Sequence, residues 1–268
     1  MGRARQAGGA RRQAARPWPR RARRARPSVR PWLAALAVGV WPMALPAQDA
    51  PARTAVIVAA DFDAPTARYP HGVLGDKIEH GALMLRLSDG RSLRYTLPQS
   101  LVFEDTEPRL VDLDADGAPE VIVVESSLTR GARLAVWGAA GRITATPHIG
   151  QAFRWLAPVG AADLDGDGAV EIAYVDRPHL ARILRIWRYR DATLQEVAQA
   201  PDVSNHQIGW RTIAGGIALC PGVAPRMILA DGGWSDVLAL TLLGTGAITR
   251  ERLGPYRGPD SLEAARHC

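Results

Sequence analysis

Only two of the 268 residues are cysteine, Cys220 and Cys268, and aromatic residues make up 6% of the chain. Two thiols alone do not build a structural metal centre, which takes about four ligands. In an oxidising compartment an even pair is expected to be bridged. A Cys220–Cys268 disulfide would close a loop of about 50 residues, contribute on the order of 4 kcal/mol in the chain-entropy view and tie down the chain around residue 268. Long apolar runs are missing too. The longest near the start, Leu33–Val40, is short and is followed by Pro42 and Pro46, so it predicts no bilayer-spanning helix and no stable membrane span in the mature chain. Catalytic signatures are absent: there is no G-x-S-x-G elbow, no P-loop and no G-x-G-x-x-G opening a helix, and Gly244 and Gly246 belong to a hairpin turn.

A basic excess is lacking wherever it would have to serve a folded domain. The whole chain has 33 basic and 27 acidic residues, but residues 1–30 hold eleven arginines and no acid, and residues 31–47 hold no charge. The remainder carries 22 basic residues against the 27 acids, a net charge of about −5. That argues against nucleic acid as a partner of the main domain. A basic run, the short apolar stretch and the small residue Ala47 before Gln48 together describe a signal peptide. The expectation is a basic extension plus signal peptide over residues 1–47, cleavage near Ala47, and a periplasmic or secreted domain over 48–268.

What the chain does contain is repetition. Residues 112–120 read DLDADGAPE and residues 163–171 read DLDGDGAVE, 51 positions apart. Strand-like segments recur in the same register: GALMLRL around Leu85, ARLAVWG around Val136, RILRIWRY around Ile186 and DVLALTL around Leu240, at offsets of 51, 50 and 54. The runs EVIVVES and EIAYVD are short and rich in β-branched residues, MILAD sits at the matching place in the last unit, and SDGR, AAGR, YRDA and GTGA mark tight turns. No capped 3.6-residue periodicity is sustained between residues 53 and 256, so helices should be scarce. An all-β fold follows, a small β-propeller of about four four-stranded blades, with a fifth if the spacing hides a shorter unit. A β-sandwich accounts for the alternation but not for the fixed offset.

The stretch APVGAADLDGDGAVEIAYVD resembles the FG-GAP (VCBS-type) repeat of integrin α-subunit propellers and of exported bacterial proteins, most clearly at 112–124 and 163–176. The resemblance implies that an Asp-x-Asp-x-Asp-Gly-x-x-Asp/Glu loop joins two strands of a blade around Ca²⁺. The integrin relatives imply seven blades, which about 221 mature residues cannot hold at this repeat length.

A hard dication takes six to eight oxygens, and alternating carboxylates around a glycine turn supply them. Two Ca²⁺ sites are expected. One has Asp112, Asp114, Asp116 and Glu120 with the Ala118 carbonyl; the other has Asp163, Asp165, Asp167 and Glu171 with the Ala169 carbonyl. An EF-hand is excluded, because its bidentate Glu at position twelve is Val123 in one copy and Tyr174 in the other. In the first unit Asp61 and Asp63 fall in register, but Pro65 replaces the third Asp and no glycine follows. In the fourth unit the matching stretch carries no acid, and Cys220 stands where the loop would be, so a disulfide is expected to brace what the ion braces elsewhere.

Three histidines, His71, His148 and His206, sit in similar local text, and His148 and His206 fall at successive unit junctions. Their expected role is packing and hydrogen bonding. Trp137 and Trp187 are expected between blades, and Trp155, Trp210 and Trp234 are candidates for a ligand-facing surface. The function expected is an exported, calcium-binding, non-enzymatic binding or scaffold protein with a protein or carbohydrate ligand. The alternative is an enzyme, a polysaccharide lyase or hydrolase, with histidines and arginines converging at one mouth of the ring.

Overall fold

The computed structural model describes residues 55–268. The basic run, the apolar segment and the cleavage position at Ala47 lie outside the described residues. Seventeen strands and one helix follow: β1 (Ile57–Thr66), β2 (Glu79–Leu87), β3 (Ser92–Thr96), β4 (Leu101–Phe103), β5 (Arg109–Val111), β6 (Glu120–Ser127), β7 (Gly131–Gly138), β8 (Gly141–Ala145), β9 (Leu156–Ala162), β10 (Glu171–Asp176), β11 (Ile183–Arg190), β12 (Thr193–Ala200), β13 (Val203–Ser204), β14 (Gly216–Ala218), β15 (Arg226–Asp231), β16 (Asp236–Leu242), β17 (Ile248–Pro255) and α1 (Pro259–Arg266). The fold is all-β, built from three antiparallel sheets. None of the described helices is long and apolar enough to cross a membrane.

Three of the sequence repeats form the same four-stranded meander. They are β5-β6-β7-β8, β9-β10-β11-β12 and β14-β15-β16-β17, each pairing in chain order. The hairpin turns come where the sequence marks them. Between β11 and β12, Asp191 and Ala192 both take positive φ (49° and 57°), the two-residue turn whose twist matches that of the flanking strands.

The second strands, β6 and β10, are buried along their whole length, which explains why their centres, VIVV and IAYV, do not alternate with exposed polar residues. Each packs on both faces against residues of a neighbouring unit. Val121 and Val123 pack towards Leu83, Leu85 and Phe103 of the first unit. Ile122 and Val124 pack towards Leu156, Ile172 and Tyr174 of the third. Ala173 and Val175 of β10 meet Met227, Leu229 and Leu240 of the fourth. Each fully buried Val or Ile contributes on the order of 1.5–3 kcal/mol.

The first unit departs from the repeat, with only three strands. Asp61 pairs with Met84 as Val123 pairs with Ala135. So β1 takes the place of the second strand, and the loop and first strand have no counterpart. Without a glycine after Pro65 the chain cannot turn there as it does at Gly117 (φ 86°), and it runs on as one ten-residue strand. Asp61 and Asp63 therefore lie on a strand and form ion pairs with Arg86 and Arg94.

At the other end, the outer face of the fourth unit's sheet is covered by α1. Leu262 and Ala265 pack on Ala218, Ile228, Ala230, Val237 and Ala239. Cys220, in the β14–β15 connection, is joined to Cys268 beyond α1 with Cα atoms 5.7 Å apart. The bridge thus springs from the position that the acidic loops occupy in the second and third units.

Candidate functional site

The two acidic loops join β5 to β6 and β9 to β10 and fold almost identically. In the first, Asp112 Oδ2 accepts from the Gly117 amide (3.0 Å), Asp116 Oδ1 from Ala118 (2.7 Å) and Glu120 Oε2 from Leu113 (2.9 Å). In the second, Asp163 Oδ2 accepts from Gly168 (3.0 Å), Asp167 Oδ1 from Ala169 (2.9 Å) and Glu171 Oε2 from Leu164 (2.9 Å). Gly117 and Gly168 each have φ 86°, a conformation that glycine adopts at little cost.

Carboxylate oxygens of Asp112, Asp114 and Glu120 lie within 4.8 Å of one another, as do those of Asp163, Asp165 and Glu171. Asp116 and Asp167 are outside these triads and hold the turn through their amide bonds. Burial pushes both glutamates above the usual carboxylate range, and neighbouring aspartates add to it.

The surroundings of the loops differ. Glu171 is paired across β10–β11 with Arg188, whose guanidinium reaches into the loop. Its Nε donates to Glu171 Oε1 (2.6 Å), Nη2 to Asp165 Oδ2 (2.6 Å), and Nη1 lies 3.1 Å from Asp167 Oδ2. These contacts hold the arginine above its ordinary pKa, the Glu171 bond first. In the second unit, one step beyond the Val121–Trp137 pair, the facing residue is Gly138, and no cation enters from the described residues. There Asp112 Oδ1 is buried and has no hydrogen-bond partner among the described residues. A buried carboxylate oxygen without a donor is costly. The acceptor-only oxygens at loop 112–120 fit a hard dication such as Ca²⁺. Loop 163–171 offers the same donors already engaged by a side-chain cation.

A second cluster forms at the opposite ends of the strands, around histidines. His71 Nδ1 lies 2.6 Å from Glu104 Oε1, and Ser126 Oγ donates to Glu104 Oε2. Burial raises the Glu104 carboxyl pKa, against the opposing pull of His71. His179 Nε2 and His206 Nδ1 are 3.0 Å apart, and His206 Nε2 lies 2.9 Å from the Trp210 carbonyl. Burial drives His179 down to about 4 and lowers His206. His148 is elsewhere, its Nδ1 2.7 Å from the Gly131 carbonyl. The cluster thus joins His71 and His206 with His179, for which the sequence analysis had no motif, and leaves out His148. Trp137 packs among residues of the first and second units, and Trp187 against residues of the second and third. Trp155 is buried, with Nε1 donating to the Glu104 carbonyl (2.8 Å). Trp210 and Trp234 stack edge to face on one another.

No curated protein matches the chain. Among solved structures, a rhamnogalacturonan lyase, YesW, is similar at 15% identity with a TM-score of 0.37. The match covers 78% of this chain and 39% of that one, so the chain spans well under half of that enzyme's length. The stretch that holds both acidic loops, residues 112–174, matches the family model described as the FG-GAP-like repeat.

Proposed function

We propose that this is an exported, calcium-braced repeat protein that serves as a binding or scaffold module. Its four units act as blades of a small β-propeller whose ring is left open, with α1 on the fourth blade where a neighbouring blade would otherwise pack. The observation that carries the calcium reading is the buried, unpartnered Asp112 Oδ1 beside Asp114 and Glu120. Ca²⁺ is held there by Asp112, Asp114, Asp116 and Glu120 with the Ala118 carbonyl. It neutralises carboxylates that β5 and β6 would otherwise bring together at a cost. The equivalent set of Asp163, Asp165, Asp167, Glu171 and the Ala169 carbonyl takes an ion only when Arg188 withdraws, so the two sites fill in that order. The disulfide supports the assignment to an oxidising compartment, periplasmic or secreted. The ion's role is structural, and the ligand, a protein or a carbohydrate, is met by the loops at the strand ends.

The test is thermal unfolding in EGTA and in millimolar Ca²⁺. Binding to the folded state alone should stabilise by about 1–3 kcal/mol. An unchanged melting temperature would remove the calcium reading. The alternative, an enzyme with its site at one mouth, draws on the histidine cluster.

A further inference from the structure

At the end of the strands away from the acidic loops is a cavity of about 260 Å³, lined by His71, Phe153, Arg154, Trp155, Arg177 and His179 among others. These residues come from three separate connections: β1–β2, β8–β9 and β10–β11. The cavity is small next to typical ligand pockets of about 300–1,000 Å³ and suits a molecule of one ring.

Its hydrogen-bonding character follows from the groups behind it. The Trp210 carbonyl can only accept, so His206 carries its proton on Nε2 and presents a lone pair at Nδ1. His179 then donates through Nε2 and keeps a lone pair at Nδ1, which has no partner among the described residues. The depressed basicity of His179 keeps that lone pair free at neutral pH. His71 is oriented by Glu104 at Nδ1, leaving Nε2 without a partner among the described residues. Fixing one ring nitrogen from behind so that the other is presented at a defined angle is how proteins prepare imidazoles for a ligand.

Cationic donors complete the lining. Arg154 makes a bond to the Phe153 carbonyl (2.9 Å) and has no acidic partner among the described residues. Arg177 is paired with Asp176 through Nε and Nη2, and its Nη1 has no partner among the described residues. Phe153 and Arg177 both have left-handed backbones (φ 55° and 46°). This is unfavourable by about 1 kcal/mol or more for bulky residues and is typical of places where a side chain is held for a purpose. The positions are secured by the Tyr69 hydroxyl, which accepts from the Phe153 amide (2.6 Å), and by the Trp155 carbonyl, which accepts from the Arg177 amide (3.0 Å). Around the rim, Phe153, Leu180 and Ile208 are 43%, 63% and 72% exposed, an apolar concentration that soluble surfaces otherwise avoid.

We infer that this cavity binds a small hydroxylated carboxylate of single-ring size, the chemistry of a sugar acid. The carboxylate is taken by Arg154 and the free edge of Arg177, a hydroxyl donates to His179 Nδ1, and the apolar ring face lies along Phe153 and Trp155. The same chemistry belongs to a free sugar acid and to the end of an acidic polysaccharide. The inference goes beyond the calcium reading and stands if that reading fails.

The experiment titrates the full chain with sodium D-glucuronate, sodium D-galacturonate, D-glucose and a glucuronate-terminated oligosaccharide. Binding is followed by calorimetry and by tryptophan fluorescence, with and without EGTA. At least one uronate should bind about tenfold or more tightly than glucose, because a charge-assisted bond is worth roughly 1.5–3 kcal/mol. Arg154→Ala should lower that affinity about tenfold at an unchanged melting temperature, and His179→Phe should lower it while retaining the stacking ring. Preference for the monomer assigns a free acid; preference for the oligosaccharide assigns a chain end. Equal binding of glucose and the uronates, no binding of any of them, or an Arg154→Ala protein that binds normally would overturn the inference.

Discussion

Across the hairpin from loop 112–120 stands Gly138; across from loop 163–171 stands Arg188. The loops share their sequence pattern, their glycine at φ 86° and their amide bonds, yet one leaves Asp112 Oδ1 without a donor and the other satisfies Asp165 and Glu171 with a guanidinium. The donor set alone does not decide whether a loop needs a metal ion. A residue 17 positions away from Glu171 supplies the positive charge in one copy and is missing from the other. A repeat protein can thus keep a loop's shape while changing what neutralises it.

The largest expected effect comes from removing the internal cation. In EGTA, Arg188→Ala leaves Asp165 and Glu171, 5% and 0% exposed in their side chains, without a counter-charge. It should destabilise the protein by about 3–5 kcal/mol, and millimolar Ca²⁺ should recover most of the loss. Denaturant unfolding under both conditions measures this, and a loss that calcium does not reverse would break the comparison.

Next in size, Asp112→Asn should erase the calcium-dependent gain of about 1–3 kcal/mol, whereas Asp163→Asn should leave a gain from the first loop. If Asp163→Asn proves the more damaging to the calcium response, the order of filling is reversed. Gly138→Arg tests the converse, since a Cβ there would meet only the end of the Ile143 side chain at 3.0 Å. It should make the melting temperature insensitive to chelator. The smallest effect is expected of Arg188→Lys, which keeps the charge but not the three-way fork. A loss of about 1 kcal/mol in EGTA, with calcium binding strengthened relative to the parent, would show that geometry matters beyond charge.

Much of this was legible in the sequence, and the reasons differ by region. The acidic loops, the strands after them and the hairpin turns are local features in which a few residues dictate the backbone, and they stand where the spacing puts them. The Cys220–Cys268 bridge was readable because only one pairing exists. The first unit was misaligned for a physical reason. Asp61 and Asp63 copy the start of the loop at the same 51-residue offset, but the chain lacks the glycine that would turn it, and β1 slid into the second-strand position beside β2. Arg188 was not legible as a loop partner, because the contact runs across a hairpin and its neighbour Trp187 drew the repeat comparison. The histidine cluster was legible only in part. His71 and His206 share local text with His148, whereas His179 reaches them through the β10–β11 turn, a proximity set by sheet packing that no spacing encodes.

The helix that covers the fourth unit's sheet has a consequence for how the fold is held closed. α1 follows all seventeen described strands in the chain, and without it Ile228, Ala230, Val237 and Ala239 would be bare. The bond that secures it, from Cys220 to Cys268, forms only where an oxidant is present. Under reducing conditions that edge therefore stays unlatched, and an oxidant turns a reversible closure into a lasting one.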